Sequence, residues 1–272
     1  MKLLFFIPML CMGLFSHTDF LFFHQSTADA SFKEFRIKFN SKSERKVELM
    51  MDKCDVKITG YDGDEVLIEA MGMETPPKRA EGLKPLYNTA EDNSGLGLSV
   101  TQENNTVKII KATSHREVKY TIKVPIKVSL LFEEVNHHGR DITISGIEGD
   151  VEVKTKSSDI HLDNISGSVV ASSIGGDVTV VFASLSQQKP SAISVVGSIV
   201  DVTLPADTKA DFKMKSVSGE IYTDFDLAVN DSKEGLRKVG GGHHIEGKAN
   251  GGGVAMSIET VGSDIFIRKK KS

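Results

Sequence analysis

Between residues 139 and 180 apolar and polar positions alternate in short bursts that return every nine residues: Ile142-Thr143-Ile144, Val151-Glu152-Val153, Ile160-His161-Leu162, Val169-Val170-Ala171 and Val178-Thr179-Val180. Period-two alternation is the pattern of a half-buried strand. Strands this short are not stable alone. Stacked, they would set Ile, Val and Leu in inward columns and leave Thr143, Glu152, His161 and Thr179 outside. An eighteen-residue period is stronger still: Ile147-Glu148-Gly149-Asp150-Val151 matches Ile165-Ser166-Gly167-Ser168-Val169, and Ser158-Asp159-Ile160 matches Gly176-Asp177-Val178. One coil is therefore two nine-residue arms, each a strand plus a corner. Gly149, Gly167 and Gly176 fall at corners, where a missing Cβ permits a tight bend or positive φ. Coils would climb by roughly 4.8 Å, the spacing of paired strands. The expected fold is all-β: a single-stranded, β-helix-like solenoid of short stacked strands, with an N-terminal strand-rich cap.

Three regions follow from the same pattern. Residues 1–30 have the form of a signal peptide: Met1-Lys2 supplies a positive start, residues 3–15 are nearly all apolar, and Ala28-Asp29-Ala30 is a small-x-small cleavage site. The apolar run is too short for a comfortable membrane span, although a second patch, Phe20-Leu21-Phe22-Phe23, keeps an uncleaved N-terminal anchor as the other reading. Leu10 before Cys11 is a poor match to a lipoprotein site. Residues 31–130 form an N-terminal β region with irregular first coils. Phe35-Arg36-Ile37-Lys38-Phe39 alternates, and Asp55-Val56-Lys57-Ile58-Thr59-Gly60 repeats the pattern of Asp141-Ile142-Thr143-Ile144-Ser145-Gly146. Residues 71–94, with Pro76-Pro77, read as a loop excursion, after which 96–100, 107–110 and 118–124 return as strands. These early strands are expected to cap the open end of the solenoid, because exposed edges invite aggregation. Residues 131–272 carry the regular repeats, interrupted by a polar insertion at 230–237, and close on the arm Gly262-Ser263-Asp264-Ile265-Phe266-Ile267.

Composition narrows the chemistry. A net charge of −4 gives no global case for nucleic acid. Of two cysteines, Cys11 would leave with the leader and Cys54 would stand alone, so no intramolecular disulfide is expected. The setting Asp52-Lys53-Cys54-Asp55-Val56 suggests a structural residue at a strand end, without a partner at the spacing of a nucleophile motif.

The run Tyr120-Thr121-Ile122-Lys123-Val124-Pro125, then Gly146-Ile147-Glu148-Gly149-Asp150-Val151 and the repeated Ser/Gly-Asp-Ile/Val units, resembles the bacterial putative-adhesin domain family of unknown function, as found in Bacteroidetes-type exported proteins. The glycine-rich segment 243–253 and the final Gly-Ser-Asp-Ile arm are similar to members of that family too. The resemblance covers roughly residues 47–269. It implies a β-solenoid, export and an envelope or surface role, and no known chemistry. The chain departs from the family pattern at Ser157-Ser158, where glycine-rich corners are common, and in its 71–94 excursion.

Asp141, Asp150, Asp159 and Asp177 lead their arms and are the foremost candidate site. Stacked carboxylates could form the acid/base pair of a polysaccharide-degrading enzyme or bind calcium. Aspartate also caps turns by accepting backbone N–H bonds, and that reading accounts for Ser168 in the same position of the repeat. The calcium-binding nonapeptide of secreted toxins is not matched, because only Asp177 follows a Gly-Gly pair. His137-His138 and His243-His244 are two pairs, but adjacent strand residues face opposite ways and are not expected to share a metal. Gly240-Gly241-Gly242 lacks the following helix and lysine of a phosphate-binding loop. Residues 268–271, Arg-Lys-Lys-Lys, blunt the chain's final edge by charge. No catalytic, cofactor or metal residue is assigned, and no cofactor is implied. The function expected is a non-enzymatic, exported envelope protein in the periplasm or at the cell surface. It would act as an adhesin-like binding or structural module, its partner an envelope glycan, a protein or a second copy of itself. The alternatives are a glycan-cleaving β-helix enzyme, for which the chain's lack of Trp and four Tyr supply few sugar platforms, and an envelope-stress sensor acting through a protein partner.

Overall fold

The computed structural model describes residues 33–73, 77–83, 86, 88–113, 118–137, 140–229 and 243–271. The expected leader, His138, Gly139, the insertion at 230–237 and the first glycine triplet lie outside them. Among the described residues there are 21 strands and one 3-10 turn, Lys78–Ala80, in the excursion. The strands form two sheets, and the regular arms feed them alternately: Ile142–Ser145, Ile160–Ile165 and Val178–Phe182 enter one sheet, Val151–Lys154 and Val169–Ser173 the other. All these neighbours pair in parallel, with Ile142↔Ile160↔Val178 and Val151↔Val169 in register. Each step is eighteen residues, so the coil is the two-armed unit legible in the repeat. The next coil is longer: Val178 pairs with Val200, the four extra residues lying in the corner before Ser191–Val196.

Inward positions stack like on like. Val56, Ile142, Ile160, Val178, Val200 and Ile265 are buried in one sheet, and Val47, Leu130, Val151 and Val169 in the other. They belong to one continuous apolar cluster running from Val47 to Ile267. Burying each such side chain contributes about 1.5–3 kcal/mol, and this is what holds four- and five-residue strands in place.

Corner glycines allow the coils to approach. A Cβ on Gly149 would lie 2.1 Å from the Val128 carbonyl oxygen, on Gly167 1.9 Å from that of Gly149, and on Gly176 2.0 Å from that of Ser158. Their role is close approach between successive coils. Positive φ, the other possibility raised by the sequence, is found instead at Gly146, Gly197 and Gly262.

The ends depart from simple climbing. The coil formed by Lys46–Met51 and Cys54–Tyr61 lies between that of Thr106–Lys111 and Val118–Pro125 and that of Ser129–Glu134 and Ile142–Ser145. At the other end, Val254–Val261 and Ile265–Lys269 lie between Ser191–Val196 with Val200–Leu204 and Ala210–Val217 with Ile221–Thr223. Antiparallel strands then close the rod. Lys33–Lys38, Glu65–Met71 and Leu98–Glu103 cover the first end, as expected of the early strands, and His243–Ala249 with Leu227–Val229 covers one sheet at the last.

Candidate functional site: the corner columns

The eighteen-residue step sorts the leading residues onto two faces. Asp141, Asp159 and Asp177 precede stacked strands of one sheet, while Asp150 and Ser168 precede stacked strands of the other. The structure thus brings together three of the four aspartates and separates Asp150 from them.

The carboxylates of Asp150, Asp159, Asp177 and Asp264 each reach across to the neighbouring coil. Asp159 Oδ1 accepts from the Asp177 N–H at 2.9 Å, and Asp177 Oδ1 from the Ile199 N–H at 2.9 Å. The same contact recurs at the last rung, where Asp264 Oδ1 accepts from the Glu220 N–H at 2.8 Å. On the opposite sheet Asp150 Oδ1 accepts from the Ser168 hydroxyl at 2.7 Å, and Asp150 Oδ2 faces Lys189 Nζ at 2.5 Å. Burial opposes ionisation of Asp150, but hydrogen bonds from Lys189 and Ser168 outweigh it and hold its pKa below the usual carboxylate value. Asp150, Asp159, Asp177 and Asp264 are thus caps whose partner is the neighbouring coil rather than their own turn.

A second polar column, inside the rod, escaped the sequence reading. At the end of the second sheet's strands the inward positions include Glu134, Thr155, Ser173, Thr260 and Ser216, all buried. Glu134, only 3% exposed, accepts from the backbone N–H groups of Lys156 (2.7 Å), Ser157 (3.0 Å) and Ser158 (3.2 Å), and from the Ser157 hydroxyl (3.1 Å). Burial pushes its pKa up, but these bonds together pull it below the ordinary glutamate value. In later coils hydroxyls do the same work: the Ser173 hydroxyl oxygen accepts from the Gly176 N–H at 2.9 Å, and Ser216 donates to the Ser263 carbonyl at 3.0 Å. At the Ser157-Ser158 departure the Ser157 hydroxyl gives Glu134 a bond that a glycine could not make. A Glu ending an alternating strand carries no local mark of being turned inward.

Cys54 begins the strand Cys54–Tyr61, buried and unbridged. Burial raises its pKa to about 11, so the thiol stays protonated, as suits a structural residue. His137 is exposed at a corner, and His243 and His244 are exposed on the capping strand. Five strands of the second sheet separate Ser129–Glu134 from His243–Ala249, so His137 does not converge with His243 and His244. His243 Nε2 lies 3.5 Å from Glu220 and His244 Nε2 3.4 Å from Glu246. Among the described residues no cluster of three or more His, Cys, Asp or Glu side chains is placed to hold a metal. The C-terminal Lys269 packs over the Phe225 ring at 5.4 Å.

Two-armed coils, stacked apolar columns and coil-to-coil caps define a β-solenoid protein. The chain belongs to the Toastrack DUF4097 family, whose model matches residues 126–268. The resemblance carried by the 120–125 run and the Gly-Asp-Ile/Val units is borne out at this level. Among solved structures, the chain is similar to a putative cell adhesion protein from Clostridium sporogenes, at 12% identity and TM-score 0.42, covering 88% of this chain and 100% of that one. It is similar also to a putative adhesin from Bacteroides fragilis, at 12% identity and TM-score 0.40, covering 88% and 97%. No curated protein matches the chain.

Proposed function

We propose that this protein is a non-enzymatic, exported component of the bacterial envelope, an adhesin-like module that binds or scaffolds through the outer face of its solenoid. The observation that carries this reading is the engagement of the corner carboxylates. Asp150, Asp159, Asp177 and Asp264 each have an oxygen bonded to the neighbouring coil, which supports a structural role for them, whereas a glycosidase pair must address the sugar and a water. The outward rows, such as Thr143, Glu152, His161 and Thr179, are polar and half-buried to exposed, a surface suited to a wet contact. On this reading residues 1–30 are a leader removed on export, 31–130 build the N-terminal cap and first coils, and 131–272 carry the regular repeats in the periplasm or at the surface.

The test is retention of envelope extract and of a glycan array by the mature chain, with and without calcium, each bound glycan also assayed for cleavage. Selective retention without cleavage is expected. Cleavage would overturn the non-enzymatic reading, and loss of retention on calcium removal would return the Asp141, Asp159 and Asp177 column to candidacy as a site. Retention of nothing would overturn the binding module itself.

A further inference from the structure

The outer face of the second sheet changes character partway along the rod. Val170, Ile174, Val196 and Val261 are 42%, 57%, 46% and 48% exposed. They are four of the ten exposed large hydrophobic side chains among the described residues. All four stand on or just beyond three adjacent strands, Val169–Ser173, Ser191–Val196 and Val254–Val261, so they form a patch rather than scattered singles. Ser172, Ala192 and Ser194 lie among them. The intervening Ala171, Ile193 and Val195 are buried, which turns this set outward. The first two of these strands carry no outward charge.

Charged positions flank the patch in a fixed order. One outward column of the sheet reads Glu133, Lys154, Ser172, Ser194, Glu259, Lys215, each in register with the next. Its charges run minus, plus, none, none, minus, plus. Turned end over end and laid on itself, the column sets each minus against a plus: Glu133 against Lys215, Lys154 against Glu259, and Ser172 against Ser194. This order depends on the inserted coil. Had the coils stacked in chain order, Lys215 would precede Glu259, and the same contact would oppose Lys154 to Lys215 and Glu133 to Glu259. Among the described residues Glu133, Glu259 and Lys215 are in no ion pair. Lys154 meets Glu152 at 2.6 Å on the open surface, and its ammonium has further donors to give.

We propose that this face binds a second copy of the chain about a two-fold axis that runs parallel to the strands, between Val169–Ser173 and Ser191–Val196. Such a contact is isologous, so each pairing occurs twice. The axis keeps the position along a strand and reverses the order of the rungs. Val170 of one copy therefore meets Ala192 of the other. Ile174, which follows the Ser173 paired with Val195, meets Val196. The centre is short and apolar, as two sheets packed about 10 Å apart require. The longer Glu and Lys side chains stand around it, where a polar rim belongs. Six rungs at about 4.8 Å and five residues at about 3.3 Å give roughly 500 Å² of face per copy. The pair thus covers about 1,000 Å², the low end for specific interfaces, which suits a dimer in equilibrium with its monomer. This inference rests on the outer face being a binding surface and names its partner.

The test is sedimentation equilibrium of the purified mature chain, with no envelope material present. A dimer with a Kd of roughly 10–100 μM is expected, weakened by salt. Ile174→Ser, Glu259→Lys and Lys154→Glu should each weaken it by about tenfold or more, because every contact is lost twice. The melting temperature of the monomer should not move for such exposed residues. Combining Lys154→Glu with Glu259→Lys should restore the dimer. Within one chain these positions are three rungs apart, about 14 Å, so the rescue must come from a second copy. Lys57→Glu, on the other sheet, should dimerise as wild type. If Lys154→Glu lowers the melting temperature, the swap of Glu133→Lys with Lys215→Glu carries the same test. A monomer at every concentration up to about 1 mM, a dimer indifferent to Ile174→Ser and Glu259→Lys, or double variants no better than their parents would overturn the proposal. Envelope retention by a chain that stays monomeric would leave the binding-module reading standing without this interface. A dimer that retains nothing from the envelope would leave the interface standing without an envelope ligand.

Discussion

Two carboxylates of similar appearance in the sequence do different work at the residue scale. Glu134 is buried and serves three backbone N–H groups of the following corner. Replacing it by Gln removes the charge that strengthens those bonds, at an expected cost of about 1–3 kcal/mol at neutral pH, read from urea midpoints. The pH dependence follows from its depressed folded pKa. Its contribution is fully present above the unfolded glutamate value of about 4.3 and is lost as pH falls through the lower folded value. The stability gap between wild type and Glu134→Gln should therefore narrow on acidification, and a constant gap would mean that shape rather than charge is what counts. Asp159 is a simpler cap, with one oxygen on the Asp177 N–H. Asp159→Asn keeps an acceptor and should cost under about 0.5 kcal/mol, whereas Asp159→Ala should cost about 1 kcal/mol, as for other lost side-chain caps. Asn as damaging as Ala in thermal melts would show that the charge itself matters at that corner.

At the scale of the element, the corner is as specified as the strand. Gly175 and Gly176 are neighbours in one corner with opposite surroundings. A Cβ on Gly175 would meet nothing closer than the Lys156 carbonyl at 3.4 Å, but on Gly176 it would lie 2.0 Å from the Ser158 carbonyl oxygen. Gly175→Ala should fall within about 0.5 kcal/mol of wild type, while Gly176→Ala should cost several times that, since two coils must part to admit it. Equal melting temperatures for the two variants would show that the coils have slack. This corner also marks how far the pattern could be read. The strand, the inward column and the eighteen-residue coil were legible because each arm repeats Asp/Ser-apolar-x-apolar. The division of Asp150 from Asp141, Asp159 and Asp177 follows from the same period once arms alternate between sheets. Glu134 was not legible, because strand-end Glu ordinarily faces water. The order of Glu259 before Lys215 on the second sheet was not legible either, because nothing local states that residue 259 lies beside residue 215.

That last gap belongs to the whole molecule. Every arm presents the same alternation, so periodicity fixes what a coil is without fixing the order in which coils stack. The structure resolves the order in the same way at both ends: the first and last coils of the described chain are not outermost but inserted one rung in. Lys46–Met51 and Cys54–Tyr61 sit between later coils, and Val254–Val261 and Ile265–Lys269 between earlier ones. A simple solenoid frays from its ends, since each repeat contacts only its neighbours. Here the coil nearest each terminus is pinned on both edges, and antiparallel strands cover the outermost rungs of both sheets at the first end and of one sheet at the last. Deleting residues 251–272 tests this. In an ordinary repeat protein it would remove one coil and leave a shorter rod. In this one it removes the rung on which Ala210–Val217 and Ile221–Thr223 lie, and uncovers Ser191–Val196 and Val200–Leu204. Amide exchange should therefore lose protection across 191–223 while 142–165, whose partners lie outside that stretch, stays as protected as in the full chain. Retained protection at 191–223 would mean that the coils at 191–204 and 210–223 close directly on each other. The insertion would then be a late addition to a finished rod rather than the rung that holds its end together.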